Sequence, residues 1–195
     1  FTDRHLALMT LDVEMLTGNA PVVISSQLVN RQDGLDEYNQ PSDKAEGFDP
    51  RKASKFTERV LVPQGNWHSD RRMLLGYKTA ESGMTLAVGA DHSIATDNPY
   101  EELVATEPDI GKKVFRIEAR QGVKIHIAKA VAYHTSRHVP TRELFDRCRR
   151  TLDRVRDHGF EHFEQMQENW LAEFWANSDV EIVDRPALQQ ATRWS

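Results

Sequence analysis

MLLGYKTAESGMTLAVGA, residues 73–90, decides the class of this chain. Met73, Leu75, Tyr77 and Thr79 alternate with Leu74, Gly76, Lys78 and Ala80. Glu81, Ser82 and Gly83 turn the chain, and Met84, Leu86, Val88 and Ala90 continue the alternation. Side chains that change face at every residue belong to strands, and a short Gly-containing turn between two such runs predicts an antiparallel hairpin. Downstream, Phe115, Ile117 and Ala119, a turn at Arg120-Gln121-Gly122, and then Val123, Ile125, Ile127, Val131 and Tyr133 predict a second hairpin. Upstream, Arg4 to Leu16 reads as a strand. Leu6 and Leu8 share one parity, while Leu11, Val13 and Met15 share the other, so a bulge or bend is expected near Met9 and Thr10. Gly18 and Asn19 make a turn into Pro21–Asn30, where Val22, Ile24, Ser26 and Leu28 share a side. These two neighbouring strands read as antiparallel to each other. Arg59 to Val62 is one more short strand. The expected fold is mainly β: an antiparallel β-sandwich followed by C-terminal linker helices.

Three polar stretches read as loops. Asn30 to Glu58 has no period and exceeds the usual ceiling for a loop in a compact domain. It is a surface excursion or a segment that reaches a neighbour through Tyr38, Phe48 and Phe56. Gln64 to Asp70 holds Trp67 and His68, and Asp97 to Gly111 is acidic with two prolines, Pro99 and Pro108. Pro140 to His158 reads as a helix with Leu144, Phe145, Cys148, Leu152 and Val155 as its buried stripe. Its arginines are matched by carboxylates: Glu143 with Arg147, Asp146 with Arg150, Asp153 with Arg156, which is the pattern of a solvated face. Gly159 breaks the helix, and Phe160, Phe163, Met166, Trp170, Leu171, Phe174 and Trp175 line a second one. Asn177, Ser178 and Asp179 stop it, Val180 and Ile182 alternate with Glu181 and Val183 as in a short strand, and Pro186 opens a further helix. Residue 1 is Phe and that last helix has barely begun at Ser195, so the chain reads as a piece of a longer protein.

Composition narrows the function classes. The 195 residues carry a net charge of −5, with 39% hydrophobic and 28% charged residues, as in a soluble globular domain. That acidic balance argues against a nucleic-acid binder. No run has the length of a transmembrane helix. Cys148 is the single cysteine, so no intrachain disulfide forms, and a cytoplasmic protein is the simpler expectation.

Few residues carry chemistry. His126, His134 and His138 invite a metal, but His126 and His134 lie eight residues apart on one expected strand, roughly 26 Å. They read as loop or solvent-facing histidines, and the expected metal set is none. Asp91, Glu118 and Glu168 are carboxylates that no pattern brings together, and they read as surface charges. No nucleophile elbow, P-loop, dinucleotide fingerprint or zinc spacing is present. No catalytic residue is assigned. Trp67, with His68 beside it, is the weak candidate for substrate contact. Trp170 and Trp175 sit about 140° apart on a helix, too splayed for a flat sugar platform, so packing is their expected role. Trp170, Phe174, Trp175 and Trp194 are the expected interdomain or subunit contacts.

A helix with two spaced tryptophans, Trp170 and Trp175, then Ser178-Asp179-Val180-Glu181-Ile182 and a helix start from Gln190 to Arg193, resembles glycoside hydrolase family 65. Arg4 to Gln32, above all Ser25 to Gln32, resembles that family's N-terminal domain. The resemblance spans most of the chain, although Val183 stands before Asp184 where the family often has glycine. It implies a β-sandwich over residues 1–138, a helical linker over 139–179, and the start of an (α/α)6 catalytic barrel over 180–195. It implies maltose, trehalose or kojibiose phosphorylase-like enzymes that act on α-linked glucose disaccharides with inversion. One carboxylic acid protonates the glycosidic oxygen while phosphate attacks from the opposite face, and both sites lie in the barrel. The implied cofactor set is none, with inorganic phosphate as co-substrate. The implied partners are the protein's own barrel, the disaccharide and a second subunit, with neither nucleic acid nor membrane. The alternative is a stand-alone carbohydrate-binding or assembly module with the same fold.

Overall fold

The computed structural model describes residues 2–30, 59–182 and 184–194. It divides into two compact units, His5–Asp153 and Phe1–Arg4 with Arg154–Ser195.

The larger unit is an antiparallel sandwich. The strands are β1 (Leu6–Val13), β2 (Ala20–Val29), β3 (Leu61–His68), β4 (Arg72–Thr79), β5 (Thr85–Thr96), β6 (Tyr100–Glu107), β7 (Ile110–Ala119) and β8 (Ile125–Ser136). One sheet has five strands in the order β1-β8-β5-β4-β3, and the other has three, β2-β7-β6. The β4–β5 hairpin pairs as its alternation predicts, with Leu75 opposite Val88 and Tyr77 opposite Leu86. Between the sheets lies an apolar cluster of Phe115, Ile117, Ala119, Ile125 and Ile127, flanked by Val13, Met15, Val22, Ile24 and Ile94. The Val22–Ile24–Ser26–Leu28 parity of β2 is the less exposed one, as expected.

Helix α1 (Thr141–His158) covers the other face of the five-stranded sheet with its residues up to Asp153. Leu144, Cys148 and Leu152 are buried there. Gly76 and Gly89 make the floor on which the helix sits. A Cβ at Gly89 would stand 2.5 Å from Leu74 Cδ2 and 3.2 Å from Leu152 Cδ1. The Cys148 thiol donates to the Ala87 and Ala132 carbonyls at 3.5 and 3.7 Å. Arg72 anchors the helix as well. It donates to both carboxylate oxygens of Asp91 at 2.6 Å and to Asp153 of α1 at 2.9 Å.

Several expectations are corrected. β1 and β2 do not pair with each other: β1 pairs with β8 and β2 with β7. Likewise, β7 and β8 form no hairpin, because the chain changes sheet between them. The two crossings lie side by side, with Gln121 donating from its backbone to Asn19 Oδ1 at 2.9 Å and from its amide to Leu16 O at 3.0 Å. Buried Asn98 supports the second crossing, accepting from Arg120 N at 2.9 Å and donating to Val123 O at 3.4 Å. No bulge interrupts β1, whose register with β8 runs unbroken from Leu6 to Val13. The parity change instead reflects cover on alternate faces: Leu6 and Leu8 are half-buried at the start of β1, whereas Val13 and Met15 pack against the inter-sheet cluster at and beyond its end. Residues 97–111 are not one loop: Tyr100–Glu107 is β6, paired to β7 across a tight turn. Trp67 and His68 stand on β3 rather than in a loop. The irregularity there lies between Pro63 and Gly65. The expected surface excursion falls on residues 31–58, outside the described residues.

In the smaller unit, α2 (Phe160–Ser178) follows Gly159, whose φ of 81° breaks the helix as a residue with a Cβ resists doing. Residues 180–182 form no strand. Their backbone is held by one side chain of α3 (Pro186–Trp194): Ile182 N donates to Gln189 Oε1 at 2.6 Å, and Gln189 Nε2 donates to Val180 O at 2.9 Å. Arg193 of α3 pairs with Asp179 at the end of α2. The ion pairs of α1 differ in part from the spacing rule. Glu143–Arg147 forms at 3.3 Å, Asp146 binds Arg149 at 2.8 Å rather than Arg150, and Asp153 pairs with Arg72 at 2.9 Å.

Candidate functional site

Trp67 and His68 are neighbours in sequence, so on a strand they point to opposite faces. The structure separates them accordingly. The Trp67 indole stacks under the Arg149 guanidinium of α1 at 4.8 Å, and Trp67 remains 40% exposed. A guanidinium over an indole is a favourable cation–π contact, so this tryptophan has a packing partner as well as a free surface. His68 faces the other way, toward β6. Its Nδ1 lies 2.9 Å from Thr106 Oγ1, and the Thr106 hydroxyl donates to Asn66 Oδ1 at 3.0 Å. The hydroxyl proton is thus spent on Asn66, and His68 Nδ1–H donates to the hydroxyl oxygen. His68 is a tie between the edges of the two sheets. It forms no joint site with Trp67.

The aromatic set of α2 is more exposed than a core stripe. None of its residues is buried. Trp170 and Phe174 stack with centroids 5.7 Å apart and planes within 11°, and Trp175 meets Phe174 edge-on at 5.1 Å. Met166, Trp170, Leu171 and Phe174 are each between 38 and 43% exposed. Trp194 on α3 is 89% exposed. Stacking of i and i+4 rings makes one apolar ridge along the helix, the sort of surface that a soluble monomer rarely leaves bare.

The nominated carboxylates stay apart. Asp91 is bound by Arg72, Glu118 is exposed on β7, and Glu168 accepts from Gln165 on α2 at 3.2 Å. The histidines are also separately employed. His126 pairs with Asp12 at 2.7 Å, His134 Nε2 meets Thr151 Oγ1 at 3.0 Å and stacks on His5, and His138 lies on the exposed turn before α1. Among the described residues no group of three or more His, Cys, Asp or Glu could hold a metal ion. Among the described residues no helix is long and apolar enough to cross a membrane. Cys148 is buried, and burial raises its thiol pKa to about 12, which keeps it out of the nucleophilic thiolate form.

One group escaped the reading of the sequence: a buried polar layer between the sheets made by His92 and Lys113. Its signal was present. His92 falls at the parity of Ala90 and Ile94, and Lys113 at that of Phe115 and Ile117, so each is a polar residue at an inward position.

Residues 1–174 match the profile of glycosyl hydrolase family 65, N-terminal domain. The chain belongs to that family. An uncharacterized glycosyl hydrolase of Mycobacterium leprae is 29% identical over 98% of this chain and 23% of its own length. The α,α-trehalose phosphorylase of Thermoanaerobacter brockii is 30% identical over 60% of this chain and 15% of its own length. A solved structure described as a candidate kojibiose phosphorylase from the human microbiome superposes with a TM-score of 0.72 at 12% identity, over 97% of this chain and 22% of that one. At that identity the likeness speaks for the fold. The family 65 chain thus spans about a quarter or less of the length of the relatives it matches.

Proposed function

We propose that this chain is the non-catalytic N-terminal domain of a family 65 α-glucoside phosphorylase or hydrolase that inverts the anomeric centre of α-linked glucose disaccharides. Support comes from the match of residues 1–174, together with carboxylates that are dispersed or already neutralised by arginine. Inversion requires an acid and an attacking group on opposite faces of one sugar, which asks for a site that brings two groups together. In this proposal both groups, and the pocket for inorganic phosphate, are supplied by a helical barrel beyond these residues. Trp170, Phe174, Trp175 and Trp194 are its contact residues. The protein acts in the cytoplasm as a homodimer.

The observation that carries the reading is the family match, and the test is an activity assay of this chain alone. Maltose, trehalose and kojibiose are each incubated with inorganic phosphate and purified chain, and glucose 1-phosphate and free glucose are measured. Neither product is expected above the blank. Product formation that scales with the chain's concentration refutes the non-catalytic assignment.

A second reading, a stand-alone carbohydrate-binding module, is favoured by one observation: the free surface of Trp67. Saturable quenching of tryptophan fluorescence by one of these disaccharides, lost in Trp67→Ala, would select it.

A further inference from the structure

His92 lies in a buried layer that is unusual for its charges. Across the five-stranded sheet it is paired with Lys129 of β8. Facing it from the three-stranded sheet is another cross-strand pair, Ser26 of β2 with Lys113 of β7. His92 Nε2 lies 2.8 Å from Ser26 Oγ, a side-chain hydrogen bond that joins the two sheets. Lys129 Nζ makes a second such link, donating to Gln27 O at 3.3 Å. Lys113 Nζ donates to Asp70 O, pairs with Glu102 of β6 at 2.9 Å and lies 5.3 Å from the centre of the Phe115 ring. Just before β4, the Arg71 carbonyl accepts from the backbone N–H of His92 at 3.2 Å, and this carbonyl acts on the ring in the opposite sense to the lysines, favouring the protonated form. Asp91, adjacent on β5, points to the opposite face and is held there by Arg72. Among the described residues, the charges that act on the imidazole are the two ammonium groups of Lys129 and Lys113, and the Glu102 carboxylate is taken by Lys113. Among the described residues the buried His92 Nδ1 has no hydrogen-bond partner.

We propose that the His92 layer is an acid-sensitive latch: neutral imidazole holds the sheets together at the polar end of the sandwich, and protonation releases them. An added proton at the buried His92 would create a further cation near Lys129 and Lys113, and the Glu102 carboxylate of the layer is already matched to Lys113. Such a charge is costly, and it is avoided either by remaining neutral or by opening the layer to solvent. The Phe115 ring borders the layer, 6.4 Å from the His92 ring, and beyond it Ile117, Ile125 and Ile127 continue the apolar cluster.

The sign follows from the surroundings. Burial, and then the charge of Lys129, lower the His92 pKa from 6.5 to about 4. The unfolded chain therefore binds this proton more readily than the folded one. The contribution of His92 to stability is complete above pH 6.5 and is lost as pH falls from 6.5 toward 4. Between pH 8 and pH 5.5 the folded-to-unfolded ratio drops about tenfold on this account, or about 3–6 °C in thermal midpoint.

The test combines a direct and a linked measurement on the whole chain. The Cε1–H resonance of His92 is followed by NMR from pH 8 to pH 5. It is expected to keep its neutral position while exposed histidines titrate. In parallel, thermal midpoints of the chain and of His92→Gln are measured across the same range. The variant is neutral at every pH, so its midpoint is expected to fall by about 3–6 °C less than that of the unaltered chain. A His92 resonance that titrates in the folded chain near pH 6.5 overturns the proposal, as do equal slopes for the two proteins. If His92→Gln does not fold, the resonance alone decides.

Discussion

Replacing Gly76 by alanine tests how closely α1 rests on the sandwich. A Cβ built at Gly76 overlaps Thr141 Cγ2 and stands 2.7 and 2.9 Å from Phe145 Cε1 and Cζ. Both neighbours belong to the first turn and a half of α1, so the helix start has to lift or the ring has to leave its rotamer. Overpacking of this kind costs about 1–3 kcal/mol. Alanine returns about 0.5–1 kcal/mol by restricting the unfolded chain, because Gly76 has no left-handed φ that alanine would resist. The net loss is roughly 0.5–2 kcal/mol, a midpoint lowered by about 1–8 °C for a unit of this size. Gly65 supplies the control. It sits on the neighbouring strand under the same ring, but its Cβ would meet Phe145 Cε2 at 3.8 Å, an ordinary contact. Gly65→Ala is therefore expected to match or exceed the unaltered midpoint, and Thr141→Ser, which deletes the overlapping methyl, to recover part of the loss in Gly76→Ala. The assay is thermal unfolding followed by far-UV circular dichroism at pH 8. Equal midpoints for Gly65→Ala and Gly76→Ala would refute the packing of α1 against β4 on which the reasoning rests.

Arg72→Ala leaves the mostly buried Asp91 carboxylate without its bidentate partner and is expected to cost about 3 kcal/mol, at the low end for a broken buried pair because Asp153 is 39% exposed; a urea midpoint unchanged from the parent contradicts this. Cys148, with its thiol pushed up to about 12, is expected to resist an aromatic disulfide reagent at pH 8 and to react fully in denaturant, and rapid labelling of the folded chain would show the thiol to be accessible. The Trp170–Phe174–Trp175 ridge is expected to drive self-association of this chain, so light scattering is expected to give a higher mass for it than for a Trp170→Ser, Trp175→Ser double variant; monomers in both cases, without binding of a hydrophobic dye, would refute the ridge as a contact surface.

What the sequence determined by itself was local. Alternation in residues 73–90 set the β4–β5 hairpin, because two short strands and a Gly turn contain all the information their pairing needs. Gly159 and Pro186 punctuated the helices for the same reason, through backbone preferences that no neighbour has to supply. The family likeness was legible too, in the spacing of Trp170, Trp175 and the segment from Ser178 to Ile182. Tertiary structure decided which strands share a sheet. β7 and β8 look like a hairpin in sequence, yet Asn98, contributed by a distant turn, bonds the chain as it crosses from one sheet to the other. An alternating pattern states that a strand has a buried face and is silent on which strand lies beside it, since partner choice is settled by long-range closure around a common core. The same limit separated Trp67 from His68 and hid the His92 layer. A histidine at an inward position reveals burial, but only the approach of β2 and β7 shows that its neighbours across the gap are a serine and a second lysine.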